Sequence, residues 1–89
     1  MDKVARKGIR AAQLGIRKVA GSVPDVLAVK KVSVRRSDLV YHVAIHVQAS
    51  AAMPLSESHA LGGRVKAAIQ QSIPEIGFAI VHMEPFVDS

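Results

Sequence analysis

The sequence predicts an α+β fold of order α-β-β-α-β, and three observations carry that prediction. Leu39–Gln48 alternates, with Tyr41, Val43, Ile45 and Val47 set against His42, Ala44, His46 and Gln48. That is the period of a strand with one apolar and one polar face. Residues 3–20 and 57–72 instead place their apolar residues at helical spacing. The remaining β-branched runs are bounded by Pro, Gly, Ser and Asp, as strands are.

The first helix carries Val4, Gly8, Ala11, Ala12, Leu14, Gly15 and Val19, with Lys3, Arg6, Lys7, Arg10, Arg17 and Lys18 between them. It reads as a basic amphipathic helix, weakened by Gly8 and Gly15 and ending near Gly21. Ser22–Asp25, with Pro24, is a turn, and Val26–Arg35 is a β-branched, only loosely alternating first strand. Arg36-Ser37-Asp38 is a break of hairpin length without the Asn-Gly of the commonest tight turn. Leu39–Gln48 is the second strand and Ala49–Leu55 a loop. Ser56 is the expected N-cap of a helix from Glu57 to about Ser72, with Leu61, Val65, Ala68 and Ile69 as its apolar stripe. Pro74 closes it, and Ile76–Glu84 is a third strand before Pro85. The first two strands then form a hairpin, and the second helix carries the chain across to a third strand parallel to the second.

At 89 residues, 49% hydrophobic and 21% charged, the chain suits one globular domain over 1–89. No apolar run approaches the roughly 20 residues of a membrane span. The basic N-terminus has no hydrophobic stretch behind it to make a signal peptide. With no cysteine there is neither a disulfide framework nor a thiolate metal site, so any metal needs imidazole and carboxylate ligands. The net charge of +5 suggests an anionic neighbour, either nucleic acid or a phospholipid surface.

The expected topology brings the ends of strands two and three and the start of the second helix to one edge. His46, His59, His82 and Glu84 lie there and form a candidate ligand set for Zn2+ or another divalent transition metal, with His42 in reserve. The bland reading is a half-exposed sheet with ordinary polar residues, since no compact zinc motif is present. Catalysis finds no support. Ser56-Glu57-Ser58-His59 is more simply a helix start, there is no nucleophile elbow, and Gly62-Gly63 lies inside a helix. Specific nucleic-acid binding is not expected, because only Tyr41 and Phe78 are available within the strands as stacking aromatics.

Val23-Pro24-Asp25-Val26-Leu27-Ala28-Val29 with Val34-Arg35, then His46, Leu55-Ser56-Glu57-Ser58-His59 and Val81-His82-Met83-Glu84-Pro85 together resemble one family. It is the cytoplasmic C-terminal domain of the cation diffusion facilitator transporters, and the resemblance runs from about Val23 to Pro85. It implies a ferredoxin-like fold with a three-stranded mixed sheet, a V-shaped homodimer on the cytoplasmic side of the membrane, and divalent-cation binding that draws two subunits together. The family's strand-two histidine falls on His46 and its helix histidine on His59, which in some members serves the partner subunit. Its closing histidine and acid fall on His82 and Glu84. Lys30 departs from the pattern where several members have a histidine, and the hairpin glycine is replaced by Ser37-Asp38. Met1-Asp2 resembles the Asp-containing end of the last membrane helix, which implies an excised domain or a stand-alone relative. The expected partners are a second copy and the membrane domain or an anionic membrane surface. The alternative function is a metal-independent dimerisation scaffold.

Overall fold

The structure is a computed structural model describing residues 2–87, with side chains from residue 8 onward. Met1 and the side chain of Asp2, read above against a membrane-helix end, lie outside the described residues. The elements are α1 (Asp2–Ser22), β1 (Ala28–Ser37), β2 (Val40–Ala49), α2 (Leu55–Ser72) and β3 (Ile76–Pro85). β2 is central, antiparallel to β1 and parallel to β3. Ferredoxin-like order and mixed sheet are both as the sequence predicts.

Strand alternation sends Val43, Ile45, Val47 and Ala49 of β2 to one side, where both helices cover them. Ile16, Ile45, Val47, Leu61, Val65 and Ile69 are fully buried. Each contributes about 1.5–3 kcal/mol by leaving water. Leu61, Val65 and Ile69 recur every four residues on α2 and Ala12, Ile16 and Ala20 do the same on α1. Each helix therefore presents one narrow apolar stripe to the sheet. Among the described residues, no helix covers the opposite sheet face, which carries His42 and His46.

Two irregularities reset the alternation. In β1 an extra residue falls between Val29, paired with Val47, and Lys31, paired with His46. Val29 and Val32 thus both reach the core although three residues apart, and that bulge is why this strand alternates only loosely in sequence. In β3 the register jumps from Ile76 opposite Tyr41 to Phe78 opposite His42, leaving Gly77 as the extra residue. A Cβ at Gly77 would stand 2.9 Å from the Val40 Cβ. Gly77→Ala is accordingly expected to destabilise by about 1–3 kcal/mol through overpacking. Urea unfolding checks it as a lowered midpoint at unchanged slope.

The predicted start of α2 needs correction. The helix begins at Leu55, Pro54 is its N-cap residue with φ −59° and no side-chain capping bond, and Ser56 lies inside the first turn. The Pro54 carbonyl accepts the first helical hydrogen bond from the Ser58 amide at 2.9 Å. Glu57 in the first turn supplies the negative charge that a helix N-terminus favours.

Candidate metal centre

The open sheet face collects the polar half of each strand. β2 places His46 there, and parallel pairing sets His82 of β3 directly beside it and Glu84 beside Gln48. Because residues in register share a face, the two imidazoles stack with centroids 4.6 Å apart and planes at 22°. His46 Nδ1 lies 2.6 Å from Glu84 Oε2, with both side chains about one-third exposed. An ionised carboxylate only accepts, so the imidazole Nδ1–H donates, and in the neutral ring this tautomer leaves the Nε2 lone pair free. A carboxylate holding one ring nitrogen so that the other can bind a metal is a recurrent arrangement around metal-ligating histidines.

Glu84 feels this contact. The hydrogen bond from His46 holds its carboxyl below the usual carboxylate range, against a smaller upward push from desolvation and with help from the His46 charge and Gln48. A depressed carboxyl pKa means stability that is fully present above the unfolded value and lost as pH falls through the folded one. A carboxyl-detected NMR titration should therefore find Glu84 titrating below an ordinary glutamate, and His46→Ala should bring it back up.

Two sequence-predicted ligands stand apart from the His46, His82 and Glu84 cluster. His59 is exposed on α2 and lines a surface cleft with Gly62, Gly63, Lys66, Val81 and Met83. Val81 and Met83 pack toward the core, so alternation puts His82 and Glu84 on the other face of the sheet from His59. The shared edge is real, but the sheet lies between. His42 stands four residues from His46, about 13 Å along the strand. It stacks on Phe78 at 4.7 Å, with Arg35 Nη2 3.5 Å from its Nδ1. A guanidinium so close opposes a cation there. Among the described residues, no three His, Cys, Asp or Glu side chains form a group able to hold a metal ion. Within one copy, His46, His82 and Glu84 are the candidates that the sheet face brings together.

Two neighbours of the pair were not legible beforehand. Gln48 is buried at 8% exposure beside Glu84. Lys31, rather than Lys30, is the residue paired with His46, because the bulge shifts the register by one. The alternation that found His46 also contains Gln48, but only the strand pairing shows which acid it meets.

Comparison with known proteins agrees with this architecture. Residues 12–86 match the family described as the cation efflux protein, cytoplasmic domain. No curated protein matches the chain. Among solved structures the MamM CTD superimposes with a TM-score of 0.84 at 22% identity, covering 86% of this chain and 98% of that one. A nickel form of one MamM CTD variant gives 0.85 at 22% identity, covering 88% and 99%. A copper form of another gives 0.85 at 22%, covering 88% and 98%. At such identities these likenesses concern the fold, whereas the family match spans most of the sequence. This chain belongs to the cytoplasmic domain family of the cation diffusion facilitators, the cation efflux transporters.

Proposed function

We propose that the domain is a metal-responsive dimerisation module, non-catalytic in itself, that regulates divalent-cation efflux from the cytoplasmic side. The carrying observation is the His46–Glu84 contact at 2.6 Å with His82 in register beside it. In this reading the imidazoles of His46 and His82 supply the donors from one copy, and Glu84 orients His46 or joins them. His59, on the far side of the sheet, serves a second copy. Neutral imidazole and carboxylate suit zinc and its neighbours. Nickel, cadmium and copper forms of the similar MamM CTD variants are in keeping with such chemistry. Because each copy holds an incomplete set, a cation favours the paired arrangement that completes it.

A metal-independent scaffold is the second reading, favoured by Lys31 opposite His46, which sets an ammonium beside the proposed donors. Calorimetric titration of the metal-free protein with zinc, with sedimentation as a readout of dimer formation, separates the two. The first reading expects saturable binding and a zinc-dependent rise in dimer, both lost in His46→Ala/His82→Ala. Under the scaffold reading that double variant dimerises normally and zinc changes neither protein.

A further inference from the structure

The net charge of this protein is accounted for by one helix. Six of its twelve Lys and Arg residues fall in α1 against one of its seven Asp and Glu. The helix thus carries the whole formal charge of +5, and the rest of the chain is neutral. At 100° per residue, positions 3, 6, 7, 10, 17 and 18 share one sector of about 120°. Position 14 lies inside that sector, and the core-facing positions 12, 16 and 20 lie roughly opposite it. Arg10, Arg17 and Lys18 are exposed, and Leu14 among them is 65% exposed. Arg17 is fixed in place, its Nη1 donating to the Val29 carbonyl at 2.6 Å.

We propose that this outer face of α1 docks on the surface of an anionic phospholipid bilayer, with the helix axis in the membrane plane. A basic helix face with an apolar residue within it is the pattern of interfacial helices, where cations meet headgroup phosphates and the apolar side chain enters the headgroup–acyl boundary. Twenty-one residues make a strip about 31 Å long. A nucleic-acid partner fits less well, since a helix reading a groove presents hydrogen-bonding side chains to the bases and here Leu14 occupies the basic sector. Membership of a transporter family puts a bilayer within the domain's surroundings. The inference stands apart from the proposed metal site, which is on the other face of the sheet from the helices.

The test is co-sedimentation of the chain with phosphatidylcholine vesicles, with and without about 30% phosphatidylglycerol, across a salt series. Binding should require the anionic lipid and fall steeply as salt rises. Arg10→Gln/Lys18→Gln should weaken it about thirtyfold, at about fivefold per charge. Leu14→Gln should weaken it about tenfold by removing apolar burial. Arg36→Gln/Arg64→Gln, which deletes the same charge elsewhere, should change it less than about twofold. Circular dichroism confirms that each variant is folded. Equal losses from the two double variants would overturn the proposal, as would a Leu14→Gln protein that binds vesicles unchanged. Duplex DNA bound more tightly than the vesicles at equal salt would overturn it in favour of a nucleic-acid surface.

Discussion

Glu84→Gln is expected to weaken zinc binding about tenfold to a hundredfold, while His46→Ala removes it from the measurable range. The difference follows from the hydrogen bond at 2.6 Å between His46 Nδ1 and Glu84 Oε2. If Glu84 acts by fixing the imidazole tautomer and orientation, a glutamine retains an acceptor oxygen and keeps part of that function. If instead the carboxylate binds the cation directly, Glu84→Gln loses a charged ligand and falls with His46→Ala. Zinc titrations of the two single variants in one buffer near neutral pH separate these roles. Glu84→Ala is the third point of the series, because it deletes the acceptor altogether and leaves His46 free to rotate. Equal losses in all three variants would make Glu84 a ligand. No loss in any of them would remove the site and leave the scaffold reading.

Ile45→Ala should destabilise the fold by about 3 kcal/mol, within the 2–5 kcal/mol span of such core truncations. Ile45 is fully buried between Val43 and Val47 on the central strand, in the cluster that holds Ile16 of α1 and Leu61 of α2. A cavity there opens beneath the very strand that carries His42 and His46 on its other side. A domain of this size has about 5–10 kcal/mol of stability in total, so the variant is expected to unfold at a much lower urea midpoint while keeping its slope. Ile80→Ala, on β3 at 60% exposure, removes comparable bulk from the open face and should move the midpoint little. A large effect at Ile80 in the dimer alone would show that this face is covered in the pair.

Much of the molecule is legible in the sequence because β2 obeys its pattern. The alternation over Leu39–Gln48 gives the core side and the open side of the central strand, and hairpin and crossover rules then give the sheet order. The start of α2 was not legible, because the helix begins from Pro54 by backbone geometry alone while Ser56 offers a more familiar signal. The neighbours of His46 were hidden by one inserted residue, which turns Lys31 rather than Lys30 toward it. The position of His59 was half legible. Its end of the sheet follows from topology, but whether it meets the strand histidines depends on which layer it occupies, and the helix layer lies across the sheet from His46. Topology supplied the candidate residues and resemblance the family, while strand parity decides which of those residues one copy can bring together.

The bulge in β1 also bears on how this chain keeps company with others. β1 is an outer strand, and its free side is a row of backbone groups that another chain's strand could extend. Here the row is interrupted at Lys30, flanked by exposed Lys30, Lys31, Arg35 and Arg36, and the Val29 carbonyl is taken by Arg17. Broken spacing, positive charge and an occupied acceptor each discourage edge-to-edge growth. At high local concentration β1 is therefore a poor template for edge-to-edge aggregation, and of the two outer strands β3 is the one whose edge runs uninterrupted from Phe78 onward.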